Sequence, residues 1–390
     1  MSGIFSFASE LERLHAAGDL RCLQPLEHDG PYVWHGGRKM LNLSSNDYLG
    51  LAAERELREE FLAGLSADNL LMSASSSRLL SGDFPVCGEV ERLLAGMYGK
   101  EAALVFNSGY HMNVGILPAI AGKDTLVVAD KLVHASLIDG IRLSQAAFCR
   151  FRHGDMGQLE KILEQSHAKY SRIIVAVESV YSMDGDKAAL LQICAMKRRY
   201  GNVSVYVDEA HAFGVLGEKG LGLAEEQGCI HDLDYICGTF GKALGSVGGF
   251  VACSRVVREY LVNRMRPFIY STALPPLNWL WTLFLLRRLP GMDARRRHLA
   301  ALSAALRGAL QAAGFPSLSG THIVPLLAGG SNASIRWAEV LQRRGFYVLP
   351  VRPPTVPEGT ARLRFSLTAG MHMENVNSLV RNILEARDGL

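Results

Sequence analysis

The amino-acid sequence predicts an α/β fold, with a largely parallel sheet flanked by helices and a smaller α+β domain after it. Three observations predict this. From about residue 90, short β-branched apolar runs alternate with helical stretches, the pattern of buried strands joined by crossover helices. Polar and small residues gather directly after those runs, where such sheets bind ligands. After "RRLPG" the alternation gives way to helices and short strands, which places a boundary near Pro290-Gly291.

In chain order, "SELERLHAAGDL" opens with Ser9 and Glu12, a capping-box pattern that predicts an N-terminal helix. "RKMLNLSSNDYLGLA" then reads as a short strand and a polar loop. The strands that follow are "ALVF", "TLVVAD", "RIIVAVES", "VSVYVDEAH", "LDYICGTF" and "GGFVACS", separated by helices such as "EVERLLAGMYG" and "ALLQICAMKRRYG". The most apolar window, "LPPLNWLWTLFLL" (274–286), is too short to span a bilayer and reads as a core helix. Residues 291–390 add two helices, the strands "IVPLLAG" and "ARLRFSLTAG", and a closing helix. The organisation expected is therefore an arm at 1–45, a large domain at 46–290 and a small domain at 291–390.

Composition sets limits on function. With 390 residues, 48% hydrophobic and 20% charged, the chain is an ordinary globular protein. A formal charge of +3 gives no nucleic-acid surface, and the arginines of "DARRRHLA" (293–300) read as a solvated helix face. Seven cysteines without a CxxC pair fit reduced thiols in a cytoplasm. "MSGIFSFASELERLH" lacks the basic and apolar regions of a secretory signal, so none is expected.

Lys242 raises the central chemical question. It lies within "TFGKALGSVGG" (239–249), a stretch of Gly, Ala and Ser directly after an apolar run. "VDEAH" (207–211) suggests a nucleotide hydrolase, but neither Gly99-Lys100 nor Gly241-Lys242 completes a phosphate loop. A metal site of Asp208, His211 and His134 lacks a supporting ligand pair. The glycines of "GEKGLGLAEEQG" do not follow a strand in dinucleotide-binding order. Taken together, the strand tips offer Lys242, the carboxylate Asp208 and a strand-to-helix turn at "NSGYHMN" (107–113) whose backbone suits a phosphate. A lysine, a carboxylate and a phosphate cradle are the parts that pyridoxal 5'-phosphate requires.

On these residues the chain resembles the α-oxoamine synthases, pyridoxal-phosphate enzymes of fold type I. The resemblance runs through "SSNDYLGLA", "FNSGYHMNVG", "DKLVHASLIDG", "ESVYSMDGD", "VDEAHAFGVLGEKGLG", "TFGKALGSVGG" and "IYSTALPP", in family order. The stretch "VRPPTVPEGTARLRFSLTAGM" (351–371) is most similar to the branch that condenses L-alanine with a pimeloyl thioester in biotin synthesis.

The resemblance implies a role for each site residue. Lys242 would bond the cofactor as a Schiff base, and Asp208 would pair with its pyridine nitrogen. His134 would stack on the ring, and Ser182 and His211 would hydrogen-bond its phenolic oxygen. Ser108, Gly109, Tyr110 and Thr239 would hold the phosphate, joined by Ser271 and Thr272 from a second subunit of a homodimer with shared active sites. Arg352 would bind the amino acid's carboxylate, and Arg21 and Thr355 would meet the acyl substrate, on coenzyme A or an acyl carrier protein. No metal, nucleic-acid or membrane partner is expected. One departure concerns "SASSSRLLSGD" (73–83), where serines and Arg78 replace a glycine-rich loop that many members carry, which unsettles the thioester contacts. A sister synthase using glycine or serine, another fold-type-I lyase or aldolase, and a non-catalytic partner subunit stay open as alternatives.

Overall fold

A computed structural model describes residues 6–67, 70–317 and 319–387. The first five residues, part of the segment read for a secretory signal, lie outside the described ones. The chain divides into two compact units. The larger comprises Asn46–Ser182 and Asp186–His298; the smaller comprises Met1–Ser45, Met183–Gly185 and Leu299–Leu390.

The larger unit is built on seven strands: β1 (Ala102–Phe106), β2 (Thr125–Asp130), β3 (Ala147–Phe151), β4 (Arg172–Glu178), β5 (Val203–Asp208), β6 (Tyr235–Thr239) and β7 (Gly249–Cys253). Their order across the sheet is β1-β7-β6-β5-β4-β2-β3. Only β7 runs against its neighbours. The ends of β1, β2, β4, β5 and β6 therefore open on one edge, where the start of β7 joins them. β1, β2 and β6 are buried along their whole length, which is why their sequences are continuously apolar rather than alternating.

Two helices matter for the site: α1 (Gly109–Ile120), directly after β1, and α2 (Ala135–Leu143), directly after β2. Met112, Ile116 and Leu117 of α1, with Leu137 and Ile141 of α2, form one core cluster with Leu104, Val127, Ile174 and Tyr206 of the sheet. Two glycines set how closely these parts approach. A Cβ on Gly140 would collide with the carbonyl of Asn113, so α2 lies against α1 only because residue 140 is bare. A Cβ on Gly249 would come within 2.8 Å of the Gly109 amide nitrogen, so the start of β7 reaches the first turn of α1 only as glycine. The apolar window at 274–286 is a core helix (Pro276–Arg288), with Trp279, Leu283, Leu285 and Leu286 buried.

In the smaller unit, Ile323–Gly329, Ala361–Ser366 and Pro350–Val351 form an antiparallel sheet. Arg38–Asn42 pairs in parallel with Phe346–Tyr347, which is how residues of the expected arm join this unit.

Three local expectations are corrected. The first helix runs Phe7–Ala16 and is capped by Ser6, whose side chain accepts the Ser9 amide at 3.3 Å, so Ser9 lies inside it rather than at its cap. The later division falls after His298, within the helix Asp293–Ala312, rather than at Pro290-Gly291. The arginines of that helix explain the shift. Arg295 bonds the Leu49 carbonyl and Glu54, and buried Arg296 donates to the carbonyls of Glu218, Leu289 and Pro290. These two anchor the start of the helix to the larger unit, while Arg297, its side chain 75% exposed, keeps the solvated position expected of the cluster.

Candidate active site

The strand tips converge on one cavity of the larger unit. Gly109, Tyr110, Asn113, His134, Ser136, Glu178, Asp208, Ala210, His211, Thr239 and Lys242 line it. Seven of the residues assigned from sequence are thus brought together: Gly109, Tyr110, His134, Asp208, His211, Thr239 and Lys242. Ser108, Ser182, Ser271 and Thr272 stand outside this lining. Ser108 caps α1, accepting the His111 amide at 3.1 Å. Ser182 is half-buried on the loop after β4. Ser271 lines a separate small depression with Asn107 and His111, and Thr272 is exposed. In the smaller unit, Arg21 Nη2 donates to Thr355 Oγ1 at 2.9 Å, and the Arg352 carbonyl accepts the Thr355 amide at 3.0 Å.

Lys242 Nζ lies 2.7 Å from His211 Nε2, and His211 Nδ1 lies 2.7 Å from the Tyr48 hydroxyl. Tyr48 directs its single hydrogen to Asn46 Oδ1 at 3.0 Å. Its oxygen is then left to accept from His211 Nδ1–H, so Nε2 is the acceptor facing the lysine. A chain of donors therefore runs from Lys242 through His211 and Tyr48 to Asn46.

Asp208 ends β5 and is buried. Its Oδ2 accepts from Asn113 Nδ2 at 2.8 Å and its Oδ1 from the Ala210 amide at 3.0 Å, the pattern of a carboxylate used only as acceptor. The neighbouring Glu209 turns away. It accepts the Leu223 and Ala224 amides at 3.0 and 2.8 Å, while burial pushes its carboxyl up to about 7. In "VDEAH", Asp208 and His211 thus face the cavity and Glu209 braces the glycine-rich loop.

His134 caps α2, with Nδ1 taking the Ser136 amide at 3.2 Å. Burial lowers its basicity, although Asp208 opposes this, so the ring is neutral near pH 7. Glu178 ends β4 in register with Asp208. Its Oε1 is buried without a hydrogen-bond partner among the described residues. Burial, then the charge of Asp208, pushes Glu178 up to about 8.

Arg78 is not available to a substrate in this arrangement. Its side chain is 8% exposed, paired with Glu91 and Asp83, and packed over Phe268 and Trp279. It anchors the serine-rich loop, in which Ser75 has a left-handed backbone (φ 52°) of the kind glycine adopts more readily.

These features fit pyridoxal phosphate on physical grounds. An amine, an acceptor-only carboxylate and the N-terminus of a twelve-residue helix share one cavity. The glycine contact between β7 and α1 keeps side chains away from that helix end.

Residues 38–383 match the model of the family Aminotransferase class I and II. The chain belongs to that family. It is an acyltransferase of the α-oxoamine synthase type, its cofactor is pyridoxal 5'-phosphate, and its fold is fold type I. Two relatives carry the name "Putative 8-amino-7-oxononanoate synthase". The one from Pasteurella multocida is 53% identical over 97% of this chain and 98% of its own length; the one from Neisseria meningitidis is 50% identical over 95% and 97%. Among solved structures, a serine palmitoyltransferase from Sphingomonas wittichii matches with a TM-score of 0.90 and 30% identity, covering 98% of this chain and 96% of its own. An 8-amino-7-oxononanoate synthase from Francisella tularensis matches at 0.76 and 26%, covering 90% and 98%.

Sequence reasoning assigned no role to Tyr48, Asn113, Ser136 or Glu178. Tyr48, Asn113 and Ser136 lie inside stretches singled out for other reasons, and Glu178 sits at a strand tip; a polar residue beside a strand end within an otherwise apolar surround was the available signal.

Proposed function

We propose that the chain condenses L-alanine with a pimeloyl thioester, carried on coenzyme A or an acyl carrier protein. The products are 8-amino-7-oxononanoate, CO2 and the free thiol, a step of biotin synthesis. The observation that carries this reading is the convergence of Lys242, Asp208 and the α1 N-terminus on one cavity. The names of relatives about 50% identical along nearly the whole chain support the product, and the resemblance of the sequence supplies alanine and the pimeloyl thioester.

When bound, pyridoxal phosphate supplies an electron sink for negative charge at the amino acid's α-carbon. Asp208 receives the pyridine N–H, held for that by Asn113 and Ala210. His134, its basicity lowered, would lie against the ring without adding a second cation. The Gly109 and Tyr110 amides with Thr239 hold the phosphate, assisted by Ser108. Ser182 and His211 would meet the phenolic oxygen, on the strength of the resemblance. Lys242, as an amine beside the α-carbon, would remove the α-proton and return one to the product. The condensation forms the carbon–carbon bond as the thiol leaves, and loss of CO2 follows. Arg352 holds the alanine carboxylate, and Arg21 with Thr355 receives the acyl chain, on the strength of the resemblance.

Ser271 and Thr272 lie outside the cavity of their own chain, and Leu79, Leu80 and Tyr270 leave apolar surface exposed. Both observations support a homodimer in which these two residues complete the partner copy's phosphate site. Seven free cysteines support residence in the cytoplasm; among the described residues no helix is long and apolar enough to cross a membrane.

The decisive experiment is a matrix of alanine, glycine and serine against acyl thioesters of several lengths, scored by CO2 and thiol release. Fastest turnover with alanine and the pimeloyl thioester is expected. A clear preference for serine with a long acyl chain would move the chain to the branch of its serine palmitoyltransferase neighbours.

A further inference from the structure

We infer that Asn113 is a positioning residue which, fixed by Tyr206 and acting through Ser136, sets the orientation of the Asp208 carboxylate and the tautomer of His134 together. The inference rests on the pyridoxal-phosphate reading of the cavity, and concerns how this chain prepares the two groups meant to contact the ring.

Asn113 is 2% exposed on α1, where packing alone calls for an apolar side chain. A buried amide is costly unless its hydrogen bonds are made. Here they are made in one sense only. The Tyr206 hydroxyl, fully buried, donates to Asn113 Oδ1 at 2.6 Å. Burial raises the phenol well above its ordinary value, so it stays protonated and remains a donor. With Oδ1 so engaged, both hydrogens of Nδ2 point the other way. One goes to Asp208 Oδ2 at 2.8 Å and the other to Ser136 Oγ at 2.9 Å.

The hydroxyl of Ser136 then has a defined direction. Having accepted from Asn113, it turns its hydrogen to His134 Nδ1, 2.8 Å away. The Ser136 amide addresses the same nitrogen. Nδ1 is therefore an acceptor and the imidazole proton sits on Nε2. Deleting Asn113 leaves Asp208 with the Ala210 amide alone and releases Ser136 to exchange donor and acceptor roles. His211 takes the opposite tautomer through Tyr48, so the cavity presents two histidines with their protons on different nitrogens.

The test uses the holoenzyme and three variants: Asn113→Leu, Tyr206→Phe and Ser136→Ala. Cofactor dissociation is measured by equilibrium dialysis of pyridoxal phosphate. The His134 tautomer is read from 15N imidazole signals of cofactor-free protein, assigned by subtraction with His134→Gln. Asn113→Leu is expected to weaken cofactor binding by about ten- to a hundred-fold and to replace the single Nε2–H signal by a mixture. Tyr206→Phe should move both readouts in the same direction by less. Ser136→Ala should shift the His134 signals and weaken cofactor binding by less than Asn113→Leu does.

Folded Asn113→Leu protein with wild-type affinity and unchanged imidazole signals overturns the inference. If that variant does not fold, Tyr206→Phe decides on the same two readouts. Failure of the functional reading looks different: wild type itself then binds no pyridoxal phosphate, whereas the imidazole signals still decide for or against the Asn113 network.

Discussion

Lys242 Nζ and His211 Nε2 stand 2.7 Å apart, with Tyr48 bonded to the other face of the imidazole. The lysine is thus aimed by a histidine whose own orientation comes from a buried phenol. Tyr48→Phe removes the hydroxyl's bonds to Asn46 and His211, of which the one to His211 bears on the lysine and is worth about 1 kcal/mol, and should lower kcat/KM roughly fivefold while cofactor still binds. Lys242→Ala should abolish turnover together with the borohydride-reducible adduct. A Lys242→Ala protein that keeps such an adduct on another lysine would show that the amine has been assigned wrongly.

His153 is held between two carboxylates, with Nδ1 3.0 Å from Asp130 and Nε2 2.8 Å from Asp186. Burial disfavours its charge, but the hydrogen bonds it donates to Asp130 and Asp186 outweigh this and push the ring up to about 10. Asp186 also closes the loop that carries Ser182, through its carbonyl to the Tyr181 amide at 3.0 Å. The folded value is raised above an unfolded value of about 6.5, so the stabilisation is complete below pH ~6.5 and fades as pH climbs through about 10. His153→Gln should therefore cost on the order of 2 kcal/mol at pH 6, after allowing for solvent screening, and progressively less toward pH 10. Thermal unfolding of both proteins across that range checks it; a difference that does not shrink contradicts the clamp.

Glu178 shows linkage of the same sign, but in a group whose burial is costly once it ionises. Its carboxyl, pushed up to about 8 by burial and then by Asp208, binds a proton in the folded chain that the unfolded chain has already released. Folded protein therefore loses stability from pH ~4.5 upward until about 8, beyond which the loss is constant. Glu178→Gln keeps the shape and the neutral state. In cofactor-free protein its Tm should approach or exceed that of wild type by a margin that grows between pH 5 and pH 8. A margin independent of pH would mean that Glu178 is ionised throughout.

The sequence made the sheet legible because its inner strands are buried along nearly their whole length, so β-branched runs such as "TLVVAD" and "RIIVAVES" announce themselves, whereas the edge strand Ala147–Phe151, buried only at Phe151, does not. Lys242, Asp208 and His211 were legible for a related reason: charged residues directly after buried strands have few structural uses. What escaped was set by tertiary pairing. Asn113 lies in the middle of α1, and its bonds to Asp208 and Tyr206 cross more than ninety positions of chain. Tyr48 meets His211 across 163 positions. Arg295 and Arg296 look like surface charge until the carbonyls that they cap are known. Periodicity carries no information about such partners.

Ser271 and Thr272 provide a test of shared active sites. If they complete the phosphate site of a second copy, an inactive Lys242→Ala chain and an inactive Thr272→Ala chain complement one another. A mixed dimer then holds one site with both lesions and one with neither, so up to about a quarter of wild-type activity should return after random subunit exchange. A stable monomer with full cofactor occupancy and turnover would rule this arrangement out.

The last prediction concerns the amino-acid substrate. Alanine offers little besides its carboxylate by which it can be held, because its side chain is a methyl group. The resemblance assigns that carboxylate to Arg352, in the segment of the smaller unit where the Arg352 carbonyl accepts the Thr355 amide. That turn fixes the backbone from which the guanidinium projects. A hydrogen bond to a charged partner contributes roughly 1.5–3 kcal/mol, so Arg352→Ala should weaken alanine binding by about ten- to a hundred-fold. Arg352→Lys should recover only part of this, since an ammonium cannot reproduce the two parallel bonds of the planar fork. Cofactor binding should survive both substitutions, because Arg352 has no assigned contact with the ring or phosphate. Titration of alanine and glycine into wild type and both variants, followed by the visible spectrum, separates these outcomes. Unchanged alanine affinity in Arg352→Ala removes Arg352 from the site. Loss of cofactor together with alanine affinity would instead make Arg352 a structural residue, whose removal disturbs the cavity as a whole.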